Sequence, residues 1–312
     1  MNEFELVARL TKPLPLNDST VVGAGDDCAV IDLGLADRWL LFKSDAVVEG
    51  IHFAADAPPE KIGHKALARA LSDVAAMAGT PSHALVTLGL PKDFDAGFVE
   101  KVYAGINALA GRHQVAIVGG ETTTNPGGML ISISVIGMVA KDKCLRRSGA
   151  KAGDAIFATG ELGGSLAAKH LDFEPRLAEA RWLAGQFTIH SMIDLSDGLA
   201  GDLRHILSAS KVGAELLSDA IPVSREAKRA ARAGSSARPP LLAALTDGED
   251  FELLFTAAGR DAVPLLDAWK KQFTDLRLSC IGKITAKPGL TIRDRKGVQT
   301  LAAHGYVHFE KS

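Results

Sequence analysis

The chain has 312 residues, of which 47% are hydrophobic and 23% charged, and a formal net charge of −2. That length is enough for two cores, the balance is that of a folded globular protein, and the near-neutral charge excludes a global basic field for nucleic acid or an anionic membrane. Cys28, Cys144 and Cys280 are too far apart for a disulfide framework or a CxxC metal site, and no stretch reads as a secretion signal or membrane helix, so the expected compartment is the cytoplasm.

In chain order, CAVIDL and RWLLFKSDAVV read as strands. A helix is predicted from Pro59 to Ala78, with Ile62, Ala66, Leu67, Ala70, Val74 and Met77 at helical spacing and Asp73 on its other side. A strand over 84–90, a helix over 95–111 and strands over 114–120 and 129–140 follow, which makes a sheet with helices laid over it. The charged connector KDKCLRRSGAKAGD at 141–154 breaks the apolar pattern and sets the expected domains at 1–141 and 142–312. The second half opens on the strand AIFATG and continues with helices near 163–170 and 174–186, the turn DLSDGL and a helix over 199–209. A surface loop at 233–240 then precedes the strands FELLFTA and LSCIGKI, which enclose a helix at 260–272. Both halves are expected to be α+β.

Acidic residues recur at turns beside glycine or small hydroxylated residues: Asp26 and Asp27, Asp45, Asp73, Glu121, Asp194 and Asp197, and Glu249 and Asp250. Singly, each reads as an ordinary cap or turn. As a set they interrupt strongly apolar segments that draw them inward, where unpaired charge is costly. Oxygen-only ligands favour Mg²⁺, Mn²⁺ or Ca²⁺ over zinc, and Mg²⁺ is preferred because the calcium-loop pattern is absent. Glycine turns at Gly119-Gly120, Gly160 to Gly164 and Gly198 lie beside the same carboxylates and offer N–H groups to phosphate. Together these features point to a nucleoside triphosphate bound through Mg²⁺, in a site of unfamiliar design, since GxxxxGK[ST], His-Arg-Asp and Asp-Phe-Gly motifs are all missing.

GAGDDCAV, SDAVVEGIHF, KALARALSDVAAMAGTP, GGETT, RRSGAKAGD, DLSDGL, GEDFEL and GYVHF stand in that order along nearly the whole chain. In them the chain resembles the thiamine-monophosphate kinase family, part of the larger group that includes aminoimidazole ribonucleotide synthetase and selenophosphate synthetase. The resemblance implies two α/β-sandwich-like domains in an α+β fold, the N-terminal mixed sheet pairing in a homodimer and the C-terminal sheet covered by helices. It implies transfer of the ATP γ-phosphoryl group to thiamine phosphate with several Mg²⁺ ions. By matching positions, the metal ligands are Asp27, Ser44, Asp45, Asp73, Glu121, Asp194 and Asp197. Gly120, Arg147 and Ser196 contact the nucleotide, with Arg112 or His113 as further candidates, and His52, Glu249 and Tyr306 line the thiamine phosphate pocket. No side chain is expected to act as acid or base, because the acceptor phosphate oxygen is already anionic.

Two positions depart from the family pattern. Glu121 stands where Asp is usual, and Lys43 stands where a small hydroxylated residue is usual. On a strand Lys43 and Asp45 point to one side, so the Lys43 ammonium is a candidate to replace part of one Mg²⁺ ion's charge. The rival readings are another ATP-dependent enzyme of the same group and a non-catalytic nucleotide- or Mg²⁺-binding relative.

Overall fold

A computed structural model describes residues 3–234, 238–303 and 305–306. The described residues cluster in two compact units: a first unit drawn from Asp18–Cys144 and His170–Arg181, and a second drawn from Met1–Asn17, Leu145–Lys169 and Trp182–Ser312. The first unit therefore ends after Cys144 and also takes in a strap, 170–181, from the later sequence.

After α1 (Glu3–Thr11), the first unit runs β1 (Thr20–Val22), β2 (Ala29–Ile31), β3 (Arg38–Val48), α2 (Pro59–Ala76), β4 (Thr80–Leu90), α3 (Ala96–Arg112), β5 (Ala116–Thr124) and β6 (Leu130–Ala140). Its sheet has the order β1-β2-β3-β6-β4-β5, antiparallel except where β4 meets β5. β3 and β6 pair along their full length, from Arg38↔Ala140 to Val48↔Leu130. Alternation then puts Leu41 and Val47 with Ile131, Ile133 and Val135 on the face covered by α2, whose Ile62, Leu67, Leu71 and Val74 are buried. Pro59 starts α2, and the Asp95 side chain caps α3 by accepting from the Gly97 N–H at 2.9 Å. The two helices cross backbone to backbone, because a Cβ at Gly63 would strike the Val102 carbonyl and one at Gly105 the Glu60 carbonyl.

Two strands exceed the sequence expectation. β4 begins at Thr80, because an irregularity between Pro81 and His83 absorbs the proline within the β6 pairing. β5 continues through Gly119, Gly120 and Glu121 rather than turning there, with Gly120 opposite Val86 and Glu121 opposite Thr87.

The second unit holds β7 (Asp154–Thr159), the later part of α4 (Leu177–Gln186), β8 (Ile189–Asp194), α5 (Leu199–Ser210), β9 (Gly213–Leu217), α6 (Arg225–Arg232), α7 (Pro240–Thr246), β10 (Leu253–Ala258), α8 (Ala262–Gln272), β11 (Leu278–Thr285), β12 (Gly289–Asp294) and β13 (Gly297–Thr300). The sheet order is β13-β12-β9-β11-β7-β10-β8. Ile156, Ala158, Ile193 and Leu254 pack with Leu199, Leu203, Ile206 and Leu207 of α5 and Leu245 of α7. Phe157 and Phe255 point the other way and stack at 5.1 Å. The helix expected near 163–170 is only a short 3₁₀ turn, Ser165–Ala167, because Gly163 and Gly164 before it adopt left-handed backbone. The whole is α+β with two domains. No helix among the described residues is long and apolar enough to cross a membrane.

Candidate active site

In the first unit, the turn before β2 carries Asp27 inward to 1% exposure. Asp26 stays half-buried and accepts the Asp27 N–H through its Oδ1 at 3.1 Å, so it secures the turn. Carboxylate oxygens of Asp27 and Asp73 lie within 4.8 Å of each other. Asp73 is buried although it lies off the predicted apolar stripe of α2, and Lys43 Nζ sits 3.0 Å from its Oδ1. Burial disfavours the Lys43 charge, yet Asp73, Asp45 and Asp27 together hold its pKa above the ordinary lysine range. Lys43 is thus a fixed ammonium inside a carboxylate set. Asp45 shares its strand face and accepts from Arg69 Nε at 3.0 Å.

The other expected ligands of this unit point elsewhere. Ser44 lies on the opposite face of β3, where Ser134 donates to its hydroxyl at 3.2 Å. Glu121 pairs with Thr87, whose β6 partner is Ser132, so Glu121 is on the Ser44 face, exposed, with Oε1 taking the Thr122 N–H at 3.0 Å. Gly120 stands beside it on β5.

His52 follows β3, and its Nδ1 accepts the Val48 N–H at 3.0 Å, which leaves the neutral ring's proton on Nε2. Beneath it Lys65, fully buried, donates to the His52 carbonyl and meets His170 Nδ1 at 2.9 Å. Sequence reasoning missed Lys65, although a lysine amid the apolar residues of α2 was a visible signal. Arg112 and His113 both engage Glu174 of the strap, at 3.3 and 2.8 Å. The His113 hydrogen bond, the largest influence, lowers the Glu174 pKa, and Arg112 acts in the same direction against burial.

The second unit gathers its own set at the turn after β8. Asp194 ends that strand, and Ser196 and Asp197 precede α5. The Ser196 carbonyl accepts the Glu249 N–H and the Asp197 carbonyl accepts the Tyr306 N–H, each at 2.7 Å, so backbone bonds tie three expected site segments together. The remainder of the tail motif, 307–309, lies outside the described residues. Asp202 is a residue the sequence reading missed. Its Oδ2 accepts the Asp197 N–H at 3.1 Å, and Asp197, Asp202 and His205 offer ligand atoms within 4.8 Å of one another. Burial first, then the charges of Asp197 and Asp194, push the Asp202 pKa well above the carboxylate range, while Arg147 opposes them. The spacing of Asp202 and His205 at i and i+3 just after DLSDGL was the signal available. The Arg147 loop is fixed by Ser210, whose hydroxyl accepts from Gly149 N and Ala150 N at 3.1 Å each and donates to the Arg147 carbonyl at 3.3 Å.

One expectation fails here. Gly160 to Gly164 do not offer an open row of donors to phosphate, because the N–H groups of Gly160 and Leu162 serve the Arg277 and Pro222 carbonyls. Those of Gly163 and Gly164 serve Asp250 and Asp247.

Comparison with known proteins fits this arrangement. Residues 25–139 match the AIR synthase related protein N-terminal domain, and residues 117–295 match the corresponding C-terminal domain. The thiamine-monophosphate kinase of Rhodopirellula baltica is 39% identical over 310 residues, spanning 96% of this chain and 94% of its own length. The chain belongs to the thiamine-monophosphate kinase family. Its Escherichia coli relative in that family is 34% identical over 335 residues, with 98% of each chain covered. Among solved structures, AaThiL complexed with AMPPCP and TMP is similar over 99% of this chain and 97% of its own, at 28% identity and a TM-score of 0.83. The thiamine-monophosphate kinase of Stenotrophomonas maltophilia is similar over 93% and 94%, at 30% identity and a TM-score of 0.74. Both carboxylate sets of this thiamine-monophosphate kinase family member fall inside the matched domains, whereas Tyr306 lies beyond them.

Proposed function

We propose that this chain transfers the γ-phosphoryl group of ATP to thiamine phosphate, giving thiamine diphosphate and ADP. The observation that carries the reading is its full-length likeness to AaThiL complexed with AMPPCP and TMP, an ATP analogue and the acceptor.

The chemistry asks for little covalent help. The acceptor oxygen is anionic at the outset, so the protein's task is to hold two polyanions in line and reduce the charge between them. Mg²⁺ fits the donor set: Asp27, Asp45 and Asp73 in the first unit and Asp194 and Asp197 in the second are carboxylates held against the interior, and Ser44 and Glu121, on the other face of the first unit's sheet, are proposed as ligands on that side. Several Mg²⁺ ions, when bound, supply the positive charge that makes the triphosphate transferable. Lys43 adds one fixed ammonium to the first set. Gly120, Arg147 and Ser196 hold the nucleotide, and the Ser210 clasp keeps the Arg147 loop in shape. Arg112 and His113 reach a nucleotide only by leaving Glu174. His52 presents Nε2–H to the acceptor, Glu249 answers its cationic ring, and Tyr306 offers a flat face for stacking. No residue takes or gives a proton in the transfer.

The first unit, close to the expected 1–141 but drawn from Asp18–Cys144 and His170–Arg181, is proposed as the metal, ATP and dimerisation domain, and the second, in place of the expected 142–312, as the part that completes the nucleotide and acceptor sites. Phe42, Leu85 and Val118, 45%, 45% and 58% exposed, share the uncovered face of the first unit's sheet and are proposed to meet a second copy of the chain. Light scattering of Phe42→Asp reads this directly, and an unchanged mass would reject it. The proposed compartment is the cytoplasm, where ATP and Mg²⁺ are at hand. Chromatography of the product tests the main reading: thiamine diphosphate must form from thiamine phosphate and not from thiamine.

A further inference from the structure

In the glycine loop at 160–165 the Gly160 and Leu162 N–H groups serve backbone carbonyls and those of Gly163 and Gly164 serve the protein's own carboxylates, which raises the question of what the loop is for. Asp250, 1% exposed, accepts the Gly163 N–H at 2.9 Å and the Ser165 hydroxyl, and Ser224 donates to the Gly163 carbonyl. A Cβ at Gly163 would come within 2.6 Å of the Ala244 nitrogen, so the loop is pressed onto α7 as well. Two residues on, Glu252, also buried, accepts from Thr159 Oγ1 at 2.8 Å and from Lys169 Nζ at 2.7 Å. Both ends of the loop are clasped by one short segment.

That segment is strained. Glu249 and Phe251, on either side of Asp250, have φ of 58° and 49°, a region that side chains with a Cβ rarely adopt. Their N–H groups are committed to the Ser196 and Leu195 carbonyls, and Leu195 N–H returns to the Glu252 carbonyl. Strain of this kind persists only where the surroundings over-determine it, and here the Asp250 side chain is the inward anchor between the two strained residues.

We infer that Asp250 is a positioning residue: its carboxylate locks the 160–165 loop to the 249–251 turn and so aims Glu249 at the acceptor, without touching either substrate. The inference rests on the reading that Glu249 contacts thiamine phosphate. Burial, the largest influence, pushes the Asp250 pKa to about 6, and Glu252 adds to it, whereas Lys169, Ser165 and Gly163 oppose the rise. Keeping a carboxylate in so unfavourable a place, with Glu252 and Lys169 facing it, points to a geometric requirement that an apolar residue would not meet.

Asp250→Asn keeps the volume but removes one of the two acceptors. It raises KM for thiamine phosphate by about tenfold and leaves KM for ATP within about twofold. In a Glu249→Gln background the same change adds less than about twofold, because Asp250 acts through Glu249. Equal shifts in both KM values, or additive effects in the double variant, overturn the inference. Hydrogen exchange of residues 160–165 and 248–252 gives a readout independent of turnover, with faster exchange expected in Asp250→Asn and unchanged exchange contradicting the lock. Ser165→Ala, which keeps the charge and drops one donor, shows a smaller change of the same sign in both measurements if Asp250→Asn folds poorly. Absence of any reaction of the wild type with thiamine phosphate would reject the proposed function, and the exchange result still decides the lock.

Discussion

Lys43 Nζ lies 3.0 Å from Asp73 Oδ1, and the two are brought together by a strand face and a helix that packs upon it. The ammonium therefore already neutralises part of a carboxylate set proposed to hold Mg²⁺. Lys43→Ser should raise the Mg²⁺ bound per chain in the nucleotide complex by about one ion. Equilibrium dialysis with metal analysis counts this, and equal counts in the two proteins would remove the ammonium's proposed role.

The adjacent carboxylates of GAGDDCAV have different work. Asp27 is buried near Asp73, whereas Asp26 spends an oxygen on the Asp27 N–H. Asp27→Asn should lower phosphoryl transfer by more than about 100-fold, and Asp26→Asn by less than about fivefold, since an amide oxygen still accepts that N–H. Steady-state rates that fall in the opposite order would mean that Asp26, not Asp27, faces the reacting phosphates.

Much of this was readable in advance and some was not, for physical reasons. RWLLFKSDAVV matched its strand to the residue, because two apolar runs, 39–42 and 46–48, flank a three-residue polar break too short to turn the chain. The start of β4 was hidden by Pro81, and GGETT looked like a turn because its pairing to Val86 and Thr87 is a tertiary fact. β8, IHSMID, was missed although it carries Asp194, since a six-residue strand with His190, Ser191 and Asp194 in it has little periodicity to show. The acidic residues of both sets stood out by recurring beside glycine or small hydroxylated residues. What held them in place did not: Lys65, Arg69 and Asp250 act through partners 13 to 105 residues away, and Asp202 through one 5 residues back. Ser44 and Asp45 were grouped by matching positions in the family motif, and the strand points their side chains to opposite faces.

Asp250 also makes a prediction about stability and pH. Its folded pKa, about 6, is above the ordinary carboxylate value of 3.8. The folded chain therefore takes up this proton before the unfolded chain does as pH falls. The group's contribution becomes more favourable from pH 7 down toward 4, and its ionisation weighs against folding above about 6. The melting temperature of Asp250→Asn relative to wild type should thus be more favourable at pH 7.5 than at pH 5. Calorimetry at the two values checks the sign, and a difference that grows toward acid would contradict it.

Phosphoryl transfer to thiamine phosphate is read out by ADP release from ATP and Mg²⁺ with thiamine phosphate, with thiamine, and with no acceptor. Release with thiamine phosphate should lie far above the other two. A rate with thiamine phosphate no higher than the rate without an acceptor would contradict it.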